Sequence, residues 1–270
     1  MKNIFPALIV ALILTACRKD NSAFVNPPAE SGSGDGCLIV KTVSPDGTGG
    51  ADVKYELDSI ITESITRENG EVTSAWFLIE EDPKRFIFTE GSKGLLDART
   101  RIYLNDDGTV SKEVGLIINA DGTLSEDPEE TNVFSYNDKK QLVHVDVGLV
   151  DDGMFDLSYD DKGRIERIVM HDGMGTDYWI YDNFTYADEV KNDNFLPVAL
   201  FGSLSSYFIP SLRNVYITGY RMSSPLAPEQ TADMEFGYNF SQGKLAEVTS
   251  KRTLMGQTID TKLAVTLTCK

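Results

Sequence analysis

Residues 157–169 read LSYDDKGRIERIV, and two other stretches share the pattern: FSYNDKKQLVHV from Phe134 and FGYNFSQGKLAEV from Phe236. In each, an apolar segment ends at a tyrosine, a polar turn follows, and a second apolar segment begins. In the first stretch Asp160 is a residue type that hydrogen-bonds turn backbone, and Gly163 suits the left-handed position before the returning strand. The repeated element therefore predicts the corner of a β-hairpin.

The other two stretches vary this corner. Asn239 and Gly243 are expected to play the parts of the aspartate and the glycine. Lys140 replaces the glycine in YNDKKQ, so we expect that turn to be strained or of another type. In all three, the tyrosine is expected to pack on the sheet while its hydroxyl reaches water.

Outside these corners the chain alternates between apolar and polar residues. In LVHVDVGL from Leu142, four apolar residues share one face, and His144 lies on the polar face. Asp-Gly dipeptides, which favour tight hairpins, separate such segments at residues 46–47, 107–108, 121–122, 152–153 and 172–173. The sequence therefore predicts an all-β fold: an antiparallel meander of repeated hairpins that forms a strongly curved sheet or barrel-like domain.

One segment breaks this pattern. Residues 192–212 read NDNFLPVALFGSLSSYFIPSL, and the apolar spacing predicts one short helix near 197–208, with Pro197 in its first turn and Pro210 after its end. Two interpretations remain: a plug that completes the core, or a lid over an apolar ligand cavity. The side chains concerned are Phe195, Leu196, Leu200, Phe201, Leu204 and Phe208.

The N-terminal region reads as an export signal. Residues 1–16 combine Lys2 with an apolar run that is too short to span a membrane, and they end in small residues before Cys17. This junction resembles the lipobox of bacterial lipoproteins, which implies cleavage before Cys17 and its acylation. Residues 17–36 are rich in Ser, Gly and Pro and are expected to form a flexible tether, so 37–270 is expected to be a single β-meander domain.

The chain as a whole resembles a family of Bacteroidetes lipoproteins whose domain of unknown function is described as porin-like. The resemblance rests on the lipobox, the Tyr-Asp or Tyr-Asn hairpins (similar to the Tyr-Asp repeats of large secreted bacterial proteins) and the NDNFLPVAL segment. It implies a lipid anchor in the outer membrane, because Arg18 is not the aspartate that retains lipoproteins in the inner membrane. Periplasmic and cell-surface placement both stay open, and the family supplies no catalytic residues.

The net charge of the chain limits the kinds of partner that it is expected to bind. The chain has 42 acidic and 25 basic side chains, a formal charge of −17, and no cluster of lysines and arginines. Such a chain repels nucleic acid and anionic lipid headgroups, so no nucleic-acid partner is expected. The charge is the kind that keeps an exported domain soluble.

Two cysteines bracket the predicted domain. Cys37 opens the apolar segment CLIVKTV, and Cys269 closes KLAVTLTC. If the first and last strands pair antiparallel, the two thiols approach disulfide distance in an oxidising compartment. The alternative, two unrelated buried cysteines, is equally compatible with the spacing.

The sequence carries no assembled catalytic signature. It has two histidines, His144 and His171, and no nucleophile elbow, zinc-protease, P-loop or dinucleotide motif. The adjacent acids lack the alternate-residue spacing of a calcium loop. We therefore expect a non-enzymatic protein with no metal and no cofactor.

Three functions fit these expectations. The first is an envelope lipoprotein that binds a lipid or other apolar small molecule near the 195–208 segment. The second is a carbohydrate-binding accessory protein in which exposed aromatic side chains stack on sugar rings: Trp76, Trp179, Tyr178 and Tyr181. The third is a structural or interaction component of the envelope. An apolar cavity favours the first, and an exposed aromatic row favours the second.

Overall fold

The computed structural model describes residues 37–56, 60–92, 95–148, 153–172, 174–187, 217–242 and 244–269. They form sixteen strands and one single-turn 3-10 helix at Pro228–Gln230; none of the helical segments in these ranges has the length and apolarity needed to cross a membrane. The strands are β1 Cys37–Val43, β2 Gly49–Glu56, β3 Ile60–Glu68, β4 Glu71–Asp82, β5 Arg85–Ser92, β6 Leu95–Leu104, β7 Val110–Ile118, β8 Leu124–Tyr136, β9 Leu142–Val147, β10 Met154–Tyr159, β11 Ile165–His171, β12 Asp177–Tyr186, β13 Ile217–Ser223, β14 Ala232–Ser241, β15 Lys244–Leu254 and β16 Gln257–Cys269.

All sixteen strands belong to one closed antiparallel barrel in which spatial order follows chain order. The predicted all-β meander is therefore confirmed, and its curvature goes as far as closure. Closure depends on the ladder between β1 and β16, which runs from the Cys37–Cys269 pair to the Val43–Ala264 pair. The predicted helix near 197–208, between β12 and β13, lies outside the described residues.

The strand order gives the barrel two distinct ends. Connections that follow even-numbered strands lie at the end where β1 begins and β16 ends, which we call the terminal end. Connections that follow odd-numbered strands lie at the opposite, distal end. The residues between β12 and β13 join the barrel at the terminal end, as does the segment before Cys37.

The outer wall of the barrel is polar and ion-paired. Cross-strand pairs place Lys54 within 2.7 Å of Glu63, and the Arg221 Nε donates to Asp233 at 2.8 Å. Comparable outward pairs occur on other strands: Lys41–Asp52, Arg101–Glu81, Lys251–Glu235 and Lys262–Glu247. Because charged side chains avoid apolar surroundings, this wall suits contact with water.

The inward face is mostly apolar, with buried polar exceptions such as Glu113 and Ser64, and its most tightly packed part lies toward the terminal end. Leu142 and Val110 open their strands there and are fully buried, and Phe86 and Ile102 are 2% and 1% exposed. The core cluster comprises Val53, Trp76, Leu78, Phe86, Ile102, Leu104, Val110, Phe134, Leu142, Val145, Leu157, Ile165 and Ile168. Full burial of each large side chain contributes about 1.5–3 kcal/mol, so this end carries much of the stability.

The corner predicted at residues 160–164 is confirmed in detail. Asp160 and Arg164 close the turn by a backbone hydrogen bond of 2.8 Å, and the Asp160 carboxylate accepts from the amides of Lys162 and Arg164. Gly163 has φ of +78°, the left-handed conformation that glycine adopts without steric cost. The aspartate and the glycine therefore serve the turn.

The two variant corners differ from each other. Lys140 occupies the glycine position of the same turn with φ of +59°, a conformation that costs about 1–2 kcal/mol for a residue with a Cβ. The Asn239 side-chain amide donates to Glu247 at 2.6 Å, and within the described residues no hydrogen bond joins its side chain to the turn backbone as expected. The turn after Tyr238 is shorter, with Ser241 paired to Lys244, and Gly243 lies outside the described residues.

The hydroxyls of Tyr159 and Tyr238 bond to neighbouring strands and that of Tyr136 is buried, so the expectation that these hydroxyls reach water was wrong. The ladder between β9 and β10 stops before the terminal end, and there the Tyr159 hydroxyl donates to the Leu142 carbonyl at 2.7 Å. Tyr238 repeats this arrangement with the Ile217 carbonyl at 2.6 Å, and Tyr186 with that of Ile165. Each bonded hydroxyl satisfies a carbonyl that the ladder leaves unpaired, which explains why tyrosine recurs at this position.

Candidate ligand site in the barrel interior

An aromatic band lines the interior between β12 and β14. Tyr181 pairs in register with the core residue Ile168, so it faces inward. Its ring lies 6.0 Å from that of Tyr220, which lies 6.0 Å from Phe236 and 5.5 Å from Phe184. Tilted rings at these separations stabilise one another and form a continuous apolar wall.

Two methionines extend this wall toward the distal end. Met222 pairs with Tyr181, and Met234 pairs with Tyr220, so both face inward. Thioether side chains are flexible and polarisable, and they adapt to ligands of irregular shape. The wall is therefore suited to an apolar molecule.

Among the described residues, the cation beside these methionines is Arg252. Arg252 pairs with Met234 on one side and with Ile259 on the other, so it shares the inward face. Lys251, its neighbour in the chain, points outward to Glu235. Within the described part of the chain, Arg252 is without an ion pair, whereas the outward arginine Arg221 is paired with Asp233.

The two interior tyrosines hold their protons at neutral pH. Burial raises the pKa of Tyr181. Burial also raises the pKa of Tyr220, and the charge of Arg252 acts in the opposite direction. In the register Met234 alone separates Arg252 from Tyr220. Both hydroxyls are thus available as hydrogen-bond donors.

Some inward side chains near the distal end are exposed, although others there, such as Ala232, are fully buried. Ile102, near the terminal end, and Ile168, near the middle of its strand, are each 1% exposed. Ile259, opposite Arg252, is 56% exposed. Ile117, which lies on the inward face of β7 near the distal end, is 49% exposed. Both exposed isoleucines lie where a strand extends past the end of a neighbouring ladder, because β1 pairs with β16 only as far as Ala264 and β6 pairs with β7 only as far as Gly115. Their exposure therefore marks the distal rim of the barrel, toward which the apolar wall extends.

A separate polar cluster lies on the outer wall, where both histidines contact one carboxylate. The Asp156 Oδ1 lies 2.7 Å from the His144 Nδ1, and its Oδ2 lies 2.9 Å from the His171 Nε2. The second ring nitrogen of His171 lies 2.8 Å from the Asp172 carbonyl oxygen. Both nitrogens of His171 face acceptors, so the protonated imidazolium is favoured.

These contacts raise the pKa of His171 and lower the pKa of Asp156. The hydrogen bond to the Asp172 carbonyl, and then that to Asp156, raise the pKa of His171 against partial burial. Partial burial would raise the pKa of Asp156, but the hydrogen bonds from His144 and His171 outweigh it and lower that pKa. Among the described residues, no group of three or more His, Cys, Asp or Glu side chains is placed to hold a metal ion.

We expect the His171–Asp156 pair to stabilise the fold by about 1 kcal/mol in mildly acidic solution. A raised histidine pKa gives stability that is fully present below the unfolded value near 6.5 and is lost as pH rises through the folded value. Asp156→Asn should therefore destabilise the protein at pH 5.5 more than at pH 9 in urea unfolding. It should also lower the pKa of His171 in a proton NMR titration; an unchanged His171 titration would contradict the pairing.

The structure separates the four aromatic residues expected to stack on sugars. Trp76 is a core residue, 9% exposed, with its ring 6.1 Å from that of Phe88. Tyr181 and Trp179 face the interior, and Tyr178 faces outward, where its hydroxyl bonds Asp172 at 3.5 Å. These four residues therefore do not form an exposed row.

The other predicted residues lie at or beyond the edge of the described chain. Cys37 and Cys269 are direct partners in the β1–β16 register. Cys17 lies outside the described residues, and so does the apolar segment 195–208 with its six named side chains. The interior group around Arg252 was missed, although Val248, Ser250, Arg252 and Leu254 alternate in the sequence in a way that places the arginine on the apolar face of its strand.

Comparison with known proteins gives the fold. No protein-family model matches the chain, and no curated protein matches its sequence. A porin-like protein from Bacteroides uniformis superposes with a TM-score of 0.51 at 13% identity, covering 85% of this chain and 96% of that one. A porin-like protein from Bacteroides vulgatus gives 0.45 at 10% identity, covering 84% and 97%. The chain thus shares a porin-like barrel fold with the Bacteroides uniformis protein.

Proposed function

We propose that this protein is a non-enzymatic envelope protein that binds a lipid or other apolar small molecule inside its barrel. The observation that carries the proposal is the inward wall of Tyr181, Tyr220, Phe236, Met222 and Met234, which extends toward the distal rim. Concave sites with apolar walls and few polar groups are typical of small-molecule binding.

The outer wall supports a binding protein in water over a channel in lipid. A membrane barrel presents an apolar band about 25 Å tall, and a charged side chain there costs about 2–4 kcal/mol at the bilayer centre. Here the outward positions carry paired charges such as Lys54–Glu63 and Arg221–Asp233. The outward face therefore carries paired charges that a membrane barrel keeps away from lipid, and most of the buried apolar side chains lie on the inward face.

We further propose that a lipid anchor at Cys17 holds the barrel to the outer membrane. The support is the export signal and the lipobox-like junction before Cys17. A tether from Cys17 joins the barrel at its terminal end, since β1 begins there, and so leaves the distal end free for ligand entry.

The binding function is tested with an apolar probe. Both tryptophans, Trp76 and Trp179, face the interior, so their emission should change when N-phenyl-1-naphthylamine is titrated into the purified protein. Met234→Gln places a polar group on the inward wall and should weaken binding about ten-fold, because burial of apolar surface supplies the affinity. Glu235→Gln makes the same side chain on the outer wall and should leave affinity unchanged.

A second measurement examines the natural ligand. Native mass spectrometry and lipid extraction of protein isolated from its own envelope should show a co-purifying apolar molecule. Absence of such a molecule, together with a probe that leaves tryptophan emission unchanged, would contradict the proposal.

An interaction role is the second candidate, and exposed apolar turns at the distal end favour it. Met174, Leu226 and Met255 lie in three successive distal turns and are 92%, 62% and 68% exposed. Exposed apolar groups on one rim are typical of a contact surface. If the interior binds no ligand, this rim becomes the better candidate for function.

A further inference from the structure

The interior wall contains one feature that an apolar ligand alone does not require. The chain has an excess of acidic over basic side chains, yet Arg252 faces inward between Met234 and Ile259. Its outward neighbours Lys251 and Arg221 each pair with a carboxylate. A cation beside apolar side chains is costly unless a counter-ion is present.

Two hydroxyl donors belong to the same surface. Tyr220, Met234 and Arg252 occupy adjacent positions across three neighbouring strands, which places the backbones of Tyr220 and Arg252 about 10 Å apart. The long arginine side chain spans much of that distance. Tyr181 lies beside Tyr220, with ring centroids 6.0 Å apart. Within the described ranges, the hydroxyls of both tyrosines are without a hydrogen-bond acceptor.

The positions of these residues along their strands indicate the order in which a ligand would meet them. Arg252 lies two residues from the distal end of β15, in one row with Met234 and Tyr220, and Phe236 lies two residues deeper than Met234 on β14. A ligand that enters from the distal end would therefore meet Arg252 and Tyr220 at one level, with Phe236 beyond them.

We propose that Arg252, with the hydroxyls of Tyr220 and Tyr181, binds the carboxylate of an amphipathic ligand whose apolar chain packs along the aromatic and methionine wall. This inference rests on the proposed binding function and specifies the ligand class, an apolar molecule with one anionic head. Arginine and tyrosine donors match a carboxylate in geometry and charge, and such hydrogen bonds are stronger than those between neutral groups.

The test compares dodecanoate with 1-dodecanol, which has the same chain length and a neutral head. Wild-type protein should bind dodecanoate at least ten-fold more tightly, measured by tryptophan emission and by isothermal titration calorimetry. Arg252→Gln should lose about ten- to a hundred-fold in affinity for dodecanoate and keep its affinity for 1-dodecanol. Lys251→Gln, the adjacent outward substitution, should bind both ligands like the wild type.

A second variant covers the case in which Arg252→Gln does not fold, as judged by circular dichroism. Tyr220→Phe removes one hydroxyl and should reduce dodecanoate affinity about five-fold with no change for 1-dodecanol.

Three outcomes would contradict part or all of this account. Equal wild-type affinity for dodecanoate and 1-dodecanol would overturn the carboxylate assignment and leave interior binding of apolar molecules intact. An unchanged dodecanoate affinity in folded Arg252→Gln would do the same. Failure of the wild type to bind either compound would overturn the proposed function as well.

Discussion

Replacing Ile102 with alanine is expected to lower the free energy of unfolding by about 2–5 kcal/mol, because Ile102 is 1% exposed and the truncation leaves a cavity in the core cluster. Ile79→Ala makes the same chemical change on the outer wall, where Ile79 is 57% exposed, and should cost less than about 0.5 kcal/mol. Urea unfolding followed by far-UV circular dichroism gives both values.

This pair of variants tests the assignment of the inward face directly. If Ile79→Ala destabilises the protein as much as Ile102→Ala, the apolar face of the barrel is not the one that packs. Equal small effects would show that the terminal half of the interior is hydrated instead of filled. Either result would also remove the basis for an apolar ligand wall.

The second large effect on stability is expected where β1 pairs with β16 and closes the barrel. Cys37 and Cys269 are directly opposed in an antiparallel ladder, where Cα atoms lie about 4.5–5.5 Å apart, within the range that a disulfide spans. We expect the oxidised protein to carry this bond. Because it would enclose almost the whole folded region, reduction should lower the free energy of unfolding by about 5–6 kcal/mol in the chain-entropy model.

Alkylation and urea unfolding, each with and without reductant, check this expectation. The double variant Cys37→Ser, Cys269→Ser should be as stable as the reduced wild type and insensitive to reductant. Equal alkylation of both cysteines before and after reduction would exclude the bridge.

A bond at this position has a physical reason in the topology. Fifteen of the sixteen ladders join strands that are adjacent in the chain, but the β1–β16 ladder joins its two ends. Closing so long a loop costs the most conformational entropy. The contact that completes the barrel is therefore the one that a covalent link would stabilise most.

Turn chemistry predicted individual hydrogen bonds correctly at some hairpin corners, but the prediction was wrong at others. Asp160 and Gly163 play their expected parts because a five-residue turn is decided by side chains within it. Asn239 does not, because a cross-strand carboxylate, Glu247, is a better partner than the turn backbone. The hydroxyl of Tyr159 was assigned to water because its acceptor, the Leu142 carbonyl, belongs to a different hairpin.

The candidate site was likewise predictable from the sequence only in part. Alternation in β15 is enough to place Arg252 on the face of Val248 and Leu254, so its inward position was readable from the chain. The residues that surround it were not predictable, because Tyr220 and Tyr181 come from strands whose bulges and register are set by pairing. The same holds for Trp76, whose burial follows from which face of β4 turns inward.

The sequence alone determined the β class, the hairpin corners such as residues 160–164, and the antiparallel order of strands. These follow from turn chemistry and alternation, which act within about a dozen residues. Only the tertiary structure decided that the sheet closes, that the ion-paired face turns outward, and that Arg252 meets an aromatic wall. Those outcomes depend on the β1–β16 ladder and on strand register, and such contacts between distant residues are not encoded in any one segment.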